Sequence, residues 1–251
     1  MSRAIVLIHG LGLGEWVFEQ HFTVQFQAAG YEVHTFNLPG HDPRVSLGER
    51  QRITLDACVR FVEDYLSQHL TVPFALLGLS MGGGIIQRLL AGGYRNTLLR
   101  AVVLLCSMPP TNNLLFTLRL CNRLALQHSK VLVDFFAQRA NAQLVFSPAS
   151  LGSLGMQQVD AYLQRVLPGF TQLELEVFFA NLLNERSTTD LPMHVIGGAD
   201  DMLFDVDTAC FTAGYYAQRA EIIPGLGHMI PVETNQRFAF DSIHSFLAGI
   251  F

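Results

Sequence analysis

Six short runs rich in Val, Ile and Leu punctuate the chain, at Ala4–Ile8, Glu32–Phe36, Phe74–Leu77, Ala101–Cys106, Met193–Ile196 and Ala220–Ile223. Most are apolar without alternation, the pattern of strands covered on both faces. Between them stand helix-like stretches at Trp16–Ala29, Thr54–Gln68, Gly82–Tyr94, Val206–Ala217 and Thr234–Ala248, several with apolar residues at three- and four-residue spacing. Strands alternating with helices pack as a parallel sheet flanked by helices. The expected fold is therefore α/β, with a doubly wound, mainly parallel sheet. A length of 251 residues suits one such unit.

One interval breaks the alternation: some eighty residues, Met108 to Thr188, separate the fourth strand from the fifth. A structureless loop of that length does not fit a compact domain. Leu114–Leu126, Val131–Ala140 and Val159–Val166 read as helices, with Pro148, Gly152, Gly155 and Pro168-Gly169 as punctuation. The implied organisation is a sheet domain in two parts, 1–107 and 189–251, with a helical cap inserted at 108–188.

Half the residues are hydrophobic and 15% are charged, against roughly 25% charged in an average soluble domain. Such a chain builds a large core and leaves some apolar surface. The formal net charge of −5, with basic residues scattered, excludes a nucleic-acid footprint. Cys58, Cys106, Cys121 and Cys210 have neither metal-ligand nor redox spacing, which points to a reducing, cytoplasmic setting. The opening MSRAIVLIHG enters the first strand without the features of a signal peptide. The longest uncharged stretch, Leu66 to Gln87, is broken by Pro73 and by glycines and fails as a membrane span.

Chemistry enters where the third strand gives way to a helix, at Gly78-Leu79-Ser80-Met81-Gly82-Gly83. Glycines flanking a serine let the backbone turn sharply, so that the hydroxyl stands exposed at the strand's C-terminal end. The following helix aims free N–H groups at the same point. A serine hydroxyl is a weak nucleophile until a base takes its proton, and the base must be held by a carboxylate. Candidates for both follow the fifth and sixth strands, in Gly197-Gly198-Ala199-Asp200-Asp201 and Pro224-Gly225-Leu226-Gly227-His228-Met229. His228 stands apart because its loop is glycine-flanked and directly follows a strand. His21, His69, His128 and His244 fall in helix-like stretches, and His34 and His194 in strands, where packing is the simpler role.

For the acid, counting from Gly197 selects Asp200 and counting from Gly198 selects Asp201. Asp201 is preferred because its frame puts Asp205 at the N-cap of the next helix. An oxyanion needs donors already aimed at it. The backbone N–H of Met81 is one, and that of Leu11, in the turn His9-Gly10-Leu11-Gly12, is the second. His9 then anchors that loop.

Together, HGLG at 9–12, NLPGH at 37–41, GLSMGG at 78–83, GGADD at 197–201 and PGLGHMIP at 224–231 resemble the α/β-hydrolase fold superfamily over nearly the whole chain. The order Ser80, Asp201, His228 matches that family's order of triad members, and the cap resembles those of compact serine esterases and lipases. Two departures stand out. The superfamily's two opening strands are not seen before Ala4, and Gly40-His41-Asp42-Pro43 replaces the glycine that often follows the histidine there. The resemblance implies hydrolysis of a small apolar carboxylic ester through an acyl-enzyme, with no metal or organic cofactor. Thioester hydrolysis, carbon–carbon bond hydrolysis, a cofactor-free lyase, a perhydrolase and a non-catalytic protein holding a small ligand stay open beside it.

Overall fold

The structure, a computed structural model, describes residues 2–183 and 188–251. A six-stranded sheet is formed by β1 (Ala4–Ile8), β2 (Glu32–Thr35), β3 (Phe74–Leu79), β4 (Leu99–Leu105), β5 (Met193–Gly198) and β6 (Ala220–Ile223). Its order is β2-β1-β3-β4-β5-β6 and every neighbouring pair is parallel. Before β4 come α1 (Trp16–Phe18), α2 (Val24–Ala28), α3 (Leu47–Arg50), α4 (Leu55–His69) and α5 (Met81–Ala91). Between β4 and β5 lie α6 (Asn113–Gln127), α7 (Ser129–Phe136), α8 (Ala142–Val145), α9 (Pro148–Leu154), α10 (Met156–Leu163) and α11 (Thr171–Phe179). After β5 come α12 (Val206–Tyr215) and α13 (Gln236–Ala248).

Alternation along each strand divides its side chains between two cores. Ala4, Val6 and Ile8 of β1 with Val102 and Leu104 of β4 face α4 and α5, through Val62, Leu66, Ile85 and Leu89. Ile5 and Leu7 with Val103 and Leu105 face the opposite layer, where Phe18, Phe22, Phe26, Phe240 and Ile243 close over them. Burial on both sides is why β1 and β3 carry no polar alternation, whereas the edge strands β2 and β6 are partly exposed and carry Glu32, His34 and Glu221.

The expected continuous helix Trp16–Ala29 is instead interrupted by a π-helical turn at Glu19–Thr23. Phe18, Phe22 and Phe26 are all fully buried. In a regular α-helix, positions four apart drift by about 40° per step, and a wider turn takes up that drift so that all three rings keep facing the sheet. Beyond the three helices expected between β4 and β5, α8, α9 and α11 are present. Pro148 begins a helix: it is the first residue of α9, and the Ser147 side chain accepts the N–H of Ser150. Leu173 and Val177 of α11 are buried at helical spacing, whereas the local sequence TQLELEV alternates like a strand.

The helices between β4 and β5 have only a small core of their own, Leu120, Leu124, Val131 and Leu144. Phe170, Leu173 and Val177 join one core of the sheet, and Phe146, Val159 and Tyr162 join the other. Leu114, Leu115 and Leu118 of α6 are exposed. The cap interval 108–188 includes residues 184–187, which lie outside the described residues. No described helix is long and apolar enough to cross a membrane.

Candidate active site

β1 leads outward to β2, and the chain then returns past β1 to β3, so the winding reverses between β1 and β3. The crevice beyond the C-terminal ends of such a pair is where open α/β sheets bind ligands. Ser80 sits there, between β3 and α5, with φ 58° and ψ −119°. A non-glycine residue holds that conformation only when its surroundings over-determine it. A Cβ added to Gly78 would stand 2.4 Å from the carbonyl carbon of Gly82, and one on Gly82 would stand 2.2 Å from the oxygen of Ile8. The glycines around Ser80 are therefore dictated by close backbone approach. Met81, the first residue of α5, carries an N–H without an intrahelical acceptor.

The loop after β1 lies against the same serine: a Cβ on Gly10 would be 2.9 Å from Ser80 Cβ. Two buried histidines pin this loop. His9 Nε2 accepts the N–H of Leu38 at 3.0 Å while its Nδ1 bonds the oxygen of Gly10 at 2.8 Å. His41 Nε2 accepts the N–H of Gly12 at 3.1 Å while its Nδ1 bonds the oxygen of Pro39 at 2.9 Å. Each ring accepts at Nε2 and so carries its proton on Nδ1. Burial pushes His9 from 6.5 down to about 4. Burial, then the neighbouring His9, pushes His41 well below the ordinary range. Both are neutral anchors on either side of Leu11. Arg50 fixes the next turn, donating to the oxygens of Gly40, Val45 and Pro168.

His228 and Asp201 are buried and meet at 2.8 Å, Nδ1 to Oδ2. The other carboxylate oxygen of Asp201 accepts the N–H groups of Leu203 at 2.8 Å and Phe204 at 2.9 Å. Asp205 caps α12 by accepting the N–H of Thr208, the frame that favours Asp201 over its neighbour. Asp200 is part-exposed and bonds Leu226 through its backbone. Of the two aspartates, Asp201 is the one brought against His228.

A family model described as the alpha/beta hydrolase family matches residues 5–241. The chain belongs to that family. No curated protein matches its sequence. Among solved structures, this hydrolase is similar to a bromoperoxidase from Bacillus anthracis, with a TM-score of 0.73 at 18% identity over 99% of this chain and 92% of that one. It is similar to an esterase from Rhodococcus sp. ECU1013, with 0.70 at 19% over 100% and 92%. A thermophilic esterase from Thermogutta terrifontis gives 0.68 at 19% over 99% and 90%. Identities this low show a shared fold.

In this hydrolase Leu11, Ser80 and His228 line one cavity of about 600 Å³. Leu13, Leu144, Val145, Val166, Leu167 and Phe178 give it apolar walls, and Gln138, Arg139, Asn141 and Glu174 sit among its polar lining. Of the apolar side chains between β4 and β5, Phe135, Phe136, Phe178 and Phe179 line this cavity, whereas Leu120, Leu124 and Phe146 are buried elsewhere. Among the described residues, one trio of metal-type donors comes together: Cys106, Asp201 and His228, with ligand atoms within 4.8 Å of one another. These donors are already committed. Asp201 holds His228, and burial, then the charge of Asp201, pushes the Cys106 thiol well above its usual range. That neutral thiol donates to the oxygen of Gly227 at 3.6 Å.

The sequence reading missed Glu233 and Arg123. Glu233 is 1% exposed and accepts from Gly227, Ser147 and Ser150. Its context Val-Glu-Thr-Asn reads as the polar start of a helix, and no local signal marks it as buried. Arg123 of α6 donates to Asp205 and to the oxygen of Met202, tying α6 to the Asp201 loop. A single arginine on a helix carries no sequence mark of such a partner.

Proposed function

We propose that this chain hydrolyses carboxylic esters with an apolar acyl or alcohol part, using Ser80 as nucleophile, His228 as general base and acid, and Asp201 to hold the imidazole. The reading is carried by one observation: a serine in a strained strand-to-helix turn shares its cavity with a buried histidine whose Nδ1 is held by a carboxylate. Ser80 Oγ attacks the ester carbonyl carbon as His228 Nε2 takes its proton. The backbone N–H groups of Leu11 and Met81 receive the oxyanion. His228 returns the proton to the departing alkoxide, leaving an acyl-enzyme. Water then attacks that ester by the same route in reverse, releasing acid and regenerating Ser80. No metal or organic cofactor takes part in these steps.

Residues 1–107 and 189–251 act as the hydrolase core and 108–188 as its cap. A reducing, cytoplasmic location accords with four cysteines that are all free.

An organophosphonate is expected to label the protein once, at Ser80, and to stop turnover of a chromogenic ester, while Ser80→Ala is inactive. Labelling at Ser107 or Ser147 with turnover intact would overturn the assignment. A second reading is favoured by the similarity to a protein described as a bromoperoxidase: hydrogen peroxide, in place of water, intercepts the acyl-enzyme and leaves as a peracid. Bromide oxidation that requires both an ester and peroxide would select it.

A further inference from the structure

The loop carrying His228 is seated on residues from the segment between β4 and β5. The backbone N–H groups of His228 and Met229 both donate to the oxygen of Val145, each at 2.9 Å. One residue earlier, the N–H of Gly227 donates to Glu233 Oε1 at 2.8 Å. The other oxygen of Glu233 accepts the N–H of Ser147 at 3.1 Å and the hydroxyls of Ser147 and Ser150 at 2.5 and 2.9 Å. A Cβ on Gly227 would meet Ser147 N at 2.6 Å and the Phe146 carbonyl carbon at 2.8 Å. The two segments therefore touch backbone to backbone, and one buried carboxylate joins them.

Val145 also lines the cavity that holds Ser80. Its carbonyl thus accepts both N–H groups of the histidine loop while the same residue forms part of the cavity wall. Glu233 takes no part in the chemistry proposed above and is too enclosed to meet substrate. A buried carboxylate with a full set of donors is costly to disturb, and its donors come from both sides of this contact.

We propose that Glu233, with Ser147 and Ser150, is a positioning device that sets the His228 imidazole from the cap side, so that the wall of the acyl pocket and the general base move as one unit. Glu233 is a positioning residue acting through Gly227 and His228. Its effect on turnover rests on the ester-hydrolase reading. Its effect on the His228 ring does not.

The test uses the full chain with Glu233→Gln, in which one oxygen still accepts from Gly227 but the amide nitrogen cannot accept from Ser147. A misplaced general base lowers kcat by about tenfold to a hundredfold, and KM should change by less than about threefold because the pocket walls remain. Phosphonate labelling of Ser80 should slow in proportion to kcat. The Nδ1–H proton of His228, followed by NMR of histidine-labelled protein, should broaden. The double variant Ser147→Ala with Ser150→Ala should shift the same readouts in the same direction. Ser153→Ala, which removes an exposed hydroxyl of α9 bonded to Thr234 and to the backbone oxygens of Ala149 and Ser150 but not to Glu233, should leave them at wild-type values.

A folded Glu233→Gln protein with wild-type kcat and an unchanged His228 proton would overturn the proposal. Should that variant fail to fold, the double serine variant decides by the same readouts. Were the wild type to turn over no ester, the hydrolase reading fails and the His228 resonance alone decides this one.

Discussion

Lowering the pH tests the neutral histidine anchors directly. His9 is fully buried, accepts the N–H of Leu38 at Nε2 and has its pKa pushed from 6.5 to about 4. Between those two values the unfolded chain binds a proton at this position and the folded chain does not. Unfolding therefore takes up a proton, and stability falls as the pH falls. A gap of roughly 2.5 pH units at 1.36 kcal/mol each gives about 3 kcal/mol, fully present above pH ~6.5 and lost by pH ~4. That is a large share of the ~5–15 kcal/mol by which domains are stable.

The measurement is urea unfolding at pH 7, 5.5 and 4 for wild type and for His9→Gln. Glutamine can still accept the Leu38 N–H but does not titrate. The variant is expected to be less stable at pH 7, having lost the bond to Gly10, and to lose about 3 kcal/mol less than wild type between pH 6.5 and 4. Carboxylates that titrate in both proteins cancel in this difference. Equal acid losses in the two proteins, within about 1 kcal/mol, would refute the reasoning.

Three further outcomes follow from the site. By analogy with the serine-protease aspartate, Asp201→Asn should lower kcat by about ten-thousandfold while Asp200→Asn lowers it by less than about tenfold, both folded by circular dichroism; the reverse ranking would move the acid to Asp200. With apolar walls around Ser80, kcat/KM should rise from acetyl to medium-chain esters by up to about fourfold per methylene, the equivalent of ~0.8 kcal/mol. A steady fall from acetate upward would mean that the walls close the pocket. Gly82→Ala places a methyl 2.2 Å from the oxygen of Ile8, so it should lower the melting temperature of the whole domain, and a wild-type melting curve would contradict that packing.

What was legible in the sequence was what local chemistry alone imposes. Buried parallel strands must be continuously apolar, so β1, β3 and β4 were visible, and Gly78 and Gly82 announced a turn with no room for side chains. Asp201 could be preferred because Asp205 had to cap the next helix, and it does. What stayed hidden depends on partners distant in sequence. Glu233 is buried because Ser147, eighty-six residues away, donates to it. The sequence of α11 alternates like a strand because the exposed Leu175 stands midway between Leu173 and Val177, the inward pair that packs into the sheet's core. The π-helical turn near Phe22 answers to three rings meeting one sheet face, and no window of sequence shows that face.

Two neighbouring strands end in residues at positive φ that are not glycine: Ser80 after β3, at 58°, and Cys106 after β4, at 43°. Each such conformation costs roughly 1–3 kcal/mol and persists only where surrounding bonds leave no alternative. Those bonds form a ladder across the sheet. The N–H of Ser80 donates to Leu105 at 2.9 Å, that of Met108 donates back to Ser80 at 3.2 Å, and that of Cys106 donates to Ile196 at 2.8 Å. Strain at the serine is thus held by β4, and strain at Cys106 by β5, whose own C-terminal loop carries Asp201. Cys106 in turn reaches Gly227, beside His228. The twist that lifts Ser80 into the cavity and the thiol contact beneath the loop of His228 thus lie on successive strand ends of one sheet, so that β3, β4 and β5 give Ser80, Asp201 and the floor of the His228 loop a common frame.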